Sequence, residues 1–234
     1  MNLTLLQVSP DILGLMLFGS TARKDADVYS DKDIFVLCQD LGLDELLRIK
    51  SDFILPSVGQ AEGICCYKHK DVVIMAEKGS LFLWHLKLQG RIVFSKNGVL
   101  ENIFSILKSY DKYQEDLTYY RNLLADVNES LKKWNVLSEF DLSLLFTIAR
   151  NTCMLLCYHK GMPKFGRSNV YLTARKIFGK ELPMVDWLYP KLCSWKLWYE
   201  RGIKPEGGLP GRSMSYSMIE QLSALLEFAR KQCS

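Results

Sequence analysis

The sequence contains no uninterrupted apolar stretch approaching the roughly 20 residues that a membrane-spanning helix needs. It has no basic leader followed by a small-residue cleavage site, and no repeat or low-complexity tract. The expectation is a soluble, cytoplasmic chain with no membrane partner. Its seven cysteines (Cys38, Cys65, Cys66, Cys153, Cys157, Cys193 and Cys233) are odd in number and scattered through apolar runs. They do not form a disulfide framework. Cys153 and Cys157 share a helix face, but no His or Cys pair accompanies them, so a structural zinc site is excluded and they read as core.

What is present is an ordinary globular composition, 48% hydrophobic and 24% charged, over 234 residues. The net charge of +4 is unevenly spread: residues 1–100 carry 11 Lys/Arg and 12 Asp/Glu, and the remainder carries 19 and 14. The basic second half suits either a polyanionic partner or a plain lysine-rich surface.

Up to about residue 97, short apolar runs alternate with helical patterns. Leu13–Phe18, Ile34–Leu37, Gly63–Tyr67 and Arg91–Phe94 read as strands; Leu43–Ile54 and Asp71–Leu88 read as helices. Beyond Asn97 the strand signals stop. From Gln114 to Trp134, apolar residues fall at Leu117, Tyr120, Leu124, Val127, Leu131 and Trp134, the stripe of a bundle helix. Ser138 then opens a run that is apolar nearly all round, with Asp141 three residues on and Gly161 at its end. That helix is expected at the centre of a bundle. Ser168–Phe178, Pro183–Arg201 and Ser213–Gln232 complete it, and the Gly/Pro-rich loop 202–211 is a lid or an interhelical connection.

The chemistry concentrates in "LFGSTARKDADVYSDKDIFVL", residues 17–37. Asp31 and Asp33 are two residues apart where a strand begins, so their carboxylates project to one face. Such a pair repels unless a cation lies between them, and hard oxygen ligands suit Mg2+ or Mn2+. Gly19-Ser20 follows the first strand and precedes a helical turn, an arrangement in which the backbone can approach a phosphate. Together these parts make a cradle for a nucleoside triphosphate and its metal.

The same stretch resembles the signature of the DNA polymerase β-like nucleotidyltransferase superfamily. The GSxAR…SDxD form is similar to minimal and kanamycin-type nucleotidyltransferases that carry a C-terminal helical domain. The resemblance implies an α+β protein: a small mixed β-sheet nucleotidyltransferase domain with flanking helices over residues 1–97, then an all-α helical bundle over 98–234 that binds acceptor or partner. It implies transfer of a nucleoside monophosphate from an NTP, with ATP the expected co-substrate, onto a hydroxyl, releasing pyrophosphate by a two-metal mechanism. Carried over by position, Gly19 and Ser20 hold phosphate and Asp31 and Asp33 bind metal. Arg23 matches the family's arginine and either neutralises phosphate or pairs with an aspartate.

The family's third carboxylate is not obvious, since the inner positions of the third strand are Ile64, Cys65 and Cys66. Glu62, at the strand's start, is the candidate catalytic acid, with Asp71 second because it looks like a helix cap. The acceptor is a protein, an RNA or a small molecule such as an aminoglycoside, and association into a homodimer is left open. The alternative is a weak or inactive fold that binds nucleotide as an interaction module. In the helical half, Ser143, Thr147, Arg150 and Asn151 form a polar stripe, so Arg150 and Glu139 are either substrate contacts or parts of an internal hydrogen-bond network. The bundle also resembles HEPN-type domains, but the eight residues between Arg150 and His159 exceed the spacing of HEPN ribonucleases. His85 reads as a half-buried structural histidine.

Overall fold

The computed structural model describes residues 9–23, 33–52 and 63–233. The chain divides into two compact units, Met1–Asp111 and Lys112–Ser234. In the first, β1 (Ile12–Phe18) turns through Gly19 into α1 (Gly19–Arg23), and β2 (Asp33–Cys38) is followed by α2 (Leu43–Asp52). Then come β3 (Gly63–Lys68), α3 (His69–Glu77), α4 (Leu81–Gln89), β4 (Arg91–Ser95) and α5 (Val99–Ser105). Among the described residues the strands form one sheet in the order β3-β2-β1-β4, with β1 antiparallel to β2 and β4, and β2 parallel to β3.

Alternation of side chains divides this unit's core between the two sheet faces. Met16, Phe35 and Leu37 join Val72, Ala76, Leu83, Leu86, Leu100, Ile103, Phe104 and Leu107, from α3, α4, α5 and the segment beyond it. Ile12, Leu15, Leu17, Ile34, Val36 and Cys38 face the other way and pack with Ile49 of α2. β2 is covered on both sides, as its unbroken apolar run requires. Burial of each large apolar side chain there contributes about 1.5–3 kcal/mol.

Three departures from the sequence reading have clear causes. The helix expected over Asp71–Leu88 is two helices, α3 and α4, parted at Gly79, whose φ of +69° ends the first. A side chain at Gly79 would overlap the carbonyl of Ser109. The unit also continues past residue 97, because Leu100, Ile103 and Phe104 of α5 and Leu107 beyond it complete its core. Asp71 is not a helix cap; it lies exposed in the first turn of α3. The N-terminus of α3 is served instead by Asp40, whose Oδ1 accepts from the Lys70 N–H at 2.9 Å.

The second unit comprises α6 (Tyr113–Trp134), α7 (Glu139–His159), α8 (Asn169–Phe178), α9 (Leu188–Arg201) and α10 (Arg212–Gln232). The α6 stripe is buried at Leu117, Tyr120, Leu124, Val127 and Leu131, while Trp134 ends it in solvent. α7 packs against α6, α8, α9 and α10 and is the centre of the unit. By length and composition α7 could cross a membrane, but 67% of its most apolar window is buried within the unit, which is how a core helix looks.

Candidate active site

Strand register brings Gly19, Ser20 and Asp33 to one end of the sheet. Phe18, the last residue of β1, pairs with Asp33, the first of β2, and Asp33 pairs on its other side with Gly63, the first of β3. The three strand ends therefore meet around one carboxylate. Gly19, immediately after Phe18, has a φ of +69°, a left-handed conformation that an L side chain avoids.

The fit around Asp33 is close. A Cβ on Gly19 would overlap Oδ2 of Asp33, and a Cβ on Gly63 would lie 2.5 Å from Oδ1. Each carboxylate oxygen thus occupies the space a side chain would fill, one at the start of α1 and one at the start of β3. Gly19, itself buried, leaves room for the carboxylate. Asp33 is half-buried at the head of an otherwise fully buried strand. Ser20 follows in α1, also half-buried.

Asp31 and Glu62 lie outside the described residues, as does the Arg23 side chain. Among the described residues no group of three His, Cys, Asp or Glu side chains forms a metal centre. The donor present, a hard carboxylate held half-buried in a cradle that a Cβ at residue 19 or 63 would close, fits a divalent cation with oxygen ligands.

On β3, the positions that share the Asp33 face are Gly63, Cys65 and Tyr67, and none is an acid. Cys65 does not replace the missing acid, because a protonated thiol is no ligand for a hard cation. Burial first, then the neighbouring Cys66 and Asp33, push its thiol up to about 12, so it stays protonated beside the carboxylate. Its Sγ donates to the Ile34 carbonyl at 3.4 Å. Identifying this face required knowing which β3 residue pairs with Asp33, and the sequence alone does not supply that register.

His85 lies closer to the site than its apolar helix suggested. α4 sets its ring edge-on against Phe18, with centroids 5.6 Å apart, and Phe18 is directly across from Asp33. Phe82 contacts the same ring at 5.7 Å and also meets Phe35 and Tyr67, so an aromatic cluster underlies this face.

In the helical unit the polar stripe of α7 is satisfied internally. Lys196 Nζ donates to Ser143 Oγ at 2.9 Å, and Thr147 Oγ1 donates to the Ser143 carbonyl at 3.0 Å. Arg150 donates to Asn151 Oδ1 at 3.1 Å and to the Phe165 carbonyl. Glu139 is half-buried in the first turn of α7. The loop 202–211 is pinned to α9 by Lys191 Nζ on the Glu206 carbonyl, at 2.7 Å, and Trp195 Nε1 on the Gly208 carbonyl, at 3.0 Å. It is an interhelical connection.

Residues 3–98 match the model of the family described as Polymerase beta, Nucleotidyltransferase. The front part of the chain is thus a nucleotidyltransferase domain of the polymerase β type, as its motif implied. Among solved structures, one described as "Crystal structure of the toxin-antitoxin with AMP-PNP" is similar at 15% identity and a TM-score of 0.31. That likeness covers 53% of this chain and 86% of the other. No curated protein matches the chain.

Proposed function

We propose that this protein transfers a nucleoside monophosphate from a nucleoside triphosphate, with ATP the expected donor, to a hydroxyl acceptor. The acceptor oxygen bonds to the α-phosphorus as the bond from that phosphorus to the bridging oxygen breaks, and pyrophosphate leaves. The observation that carries the reading is the Asp33 carboxylate set between Gly19 and Gly63, beside the Gly19-Ser20 turn. Asp33, with Asp31, would hold the divalent cation, which when bound neutralises the triphosphate and lowers the pKa of the attacking hydroxyl. Gly19 and Ser20 take the triphosphate, and Arg23 adds positive charge there.

Residues 112–234 carry 18 Lys/Arg against 12 Asp/Glu, which favours an anionic macromolecule over a cationic aminoglycoside as acceptor. A second reading, nucleotide binding without turnover, is favoured by Gly63, Cys65 and Tyr67 standing where a third acid is sought.

The test is label transfer from each of four α-labelled NTPs, with Mg2+ or Mn2+, to a cell lysate. We expect label in the RNA or protein fraction with the parent chain, and a loss of at least about 100-fold with Asp33→Ala. Its melting temperature should be unchanged or higher, because the substitution removes a confined charge and leaves no apolar cavity. Equal transfer by Asp33→Ala sinks the reading; metal-dependent NTP binding with no transfer establishes the second.

A further inference from the structure

One end of the helical unit leaves more aromatic surface in water than its packing requires. The C-terminus of α6 and the N-terminus of α7 are joined by residues 135–138, and the C-terminus of α9 and the N-terminus of α10 by residues 202–211. Phe140 meets Tyr199 with ring centroids 5.7 Å apart, which brings both connections to the same end. There Trp134 is 64% exposed, Phe140 52% and Tyr199 46%. Trp198 and Tyr216, in the last turn of α9 and the first turns of α10, are half-buried. Rings of this size stabilise a fold strongly when buried, so three left in solvent at one place mark a surface that meets a partner.

Cations are interleaved with these rings. Lys133 Nζ lies 4.8 Å from the Trp134 ring centroid, Lys196 Nζ 5.9 Å from Tyr199, Lys204 Nζ 5.6 Å from Trp198, and the Arg212 guanidinium 5.8 Å from Tyr216. Lys196 is fixed by the Ser143 hydroxyl and by Glu200 at 3.1 Å. Among the described residues no ion pair engages Lys133, Lys204 or Arg212, so their charge is available to an anion. Residues 132–140 and 196–216 hold six Lys/Arg and three Asp/Glu, and the other 93 residues of 112–234 hold 12 and nine. The same net charge of +3 therefore sits on about a third as many residues. The core of a protein–protein interface is depleted of lysine. A strand of nucleic acid instead needs rings and cations together, bases stacking on the rings and phosphates meeting the cations. A duplex hides the faces of its bases, and RNA is the nucleic acid that presents unstacked bases in loops and ends.

We propose that this end of the helical unit binds single-stranded RNA. Trp134, Phe140 and Tyr199 stack on bases, and Lys133, Lys204 and Arg212 take phosphates. Phe140 and Tyr199, already in contact, form one platform, and Trp134 at the last position of α6 supplies a second. Recognition tolerates many sequences, because every base has a face to stack. The proposal extends the reading of an anionic macromolecular acceptor, but the binding itself needs neither NTP nor metal.

The test titrates the full-length chain into a fluorescent RNA of about a dozen nucleotides and mixed sequence, in EDTA and without NTP, and follows anisotropy. We expect the single strand to bind, and the same RNA annealed to its complement to bind at least about tenfold more weakly. Trp134→Ala should weaken binding of the single strand about 5- to 100-fold, and Trp134→Phe should recover most of that loss. Lys204→Gln should reduce the steepness of log affinity against log salt by about 0.7. Trp187→Ala removes a tryptophan that is 48% exposed at the opposite end of α9, and it should bind as the parent does. A failed transfer assay leaves these readouts intact, so the two proposals fail separately. No binding of the single strand, equal affinity for the duplex, or parent-like binding by Trp134→Ala overturns the proposal. So does self-association of the parent in sedimentation that Trp134→Ala abolishes, since a second copy is then the occupant. Should Trp134→Ala fail to fold, ultraviolet crosslinking of the parent to RNA containing iodouridine decides the matter. Crosslinks must fall on Trp134, Phe140, Trp198 or Tyr199, and crosslinks confined to other positions overturn the assignment.

Discussion

At the residue scale, the site is organised as much by two missing side chains as by the side chains present. Asp33 is accommodated because Gly19 and Gly63 leave its oxygens their space. Gly19→Ala should therefore be severe. The left-handed backbone alone costs about 1–2 kcal/mol with a Cβ, and the new methyl must displace the carboxylate. We expect a lower denaturation midpoint together with loss of metal-dependent NTP binding. A variant that is merely less stable but binds the triphosphate normally contradicts this account of the cradle. The Gly-Ser turn and Asp33 were legible in the sequence because their spacing is local. Gly63 and Cys65 were not: their relation to Asp33 depends on which strand lies beside β2 and in which register, and a local pattern encodes neither.

At the scale of the element, capping shows how a terminus is specified by few atoms. Ser138 Oγ accepts from the Asp141 N–H at 3.1 Å, and Asp141 Oδ2 accepts from the Ser138 N–H at 2.9 Å. The same Asp141 oxygen takes the Ser130 hydroxyl at 3.1 Å, tying the start of α7 to α6. Asp141→Ala should lower the stability of the helical unit by about 1–2 kcal/mol, measured by urea denaturation, with nucleotide binding unaffected. A shift within error would mean that water replaces these bonds at no cost. This helix start was readable from Ser138 and Asp141, whereas the break at Gly79 was not. Residues 71–88 keep a helical apolar pattern through Lys78-Gly79-Ser80, and only the carbonyl of Ser109, brought in by the tertiary fold, rules out a side chain at Gly79. α5 was missed because seven residues give too short a window for periodicity, although its leucine and phenylalanine seal a core.

At the scale of the whole molecule, the buried thiols give an alkaline liability. Burial pushes Cys65, Cys157 and Cys193 up to about 12 and Cys233 up to about 11, against an ordinary thiol value of 9.0. Above pH 9 the unfolded chain has lost protons that the folded chain retains, so the stability these groups contribute is full below pH 9 and declines as pH rises toward their folded values. The melting temperature, followed at constant ionic strength, should fall progressively from pH 9 to 11. A flat profile would show that these thiols are less buried in solution. The α+β class and the change from strands to helices were legible in the sequence, because apolar periodicity shifts near residue 97. Where between residues 97 and 112 the first unit ends was not, because that depends on side chains of α5 and Leu107 closing a core laid down by strands far earlier in the chain.

The strand order carries a consequence for how the chain acquires its shape. Among the described residues β1, the first strand made, pairs with β4, the last, across the separation from Leu17 to Arg91. A growing chain therefore emerges from the ribosome with one edge of β1 unsatisfied until residues 91–95 are available. Each α6–α10 helix, by contrast, forms from neighbours in sequence. The front unit is synthesised first yet has the larger loop-closure cost before its native contacts form. A chain interrupted before Arg91 presents the apolar edge of its own nucleotide-binding sheet to whatever strand is nearby, and the final fifth of the first unit acts in folding as the guard on that edge.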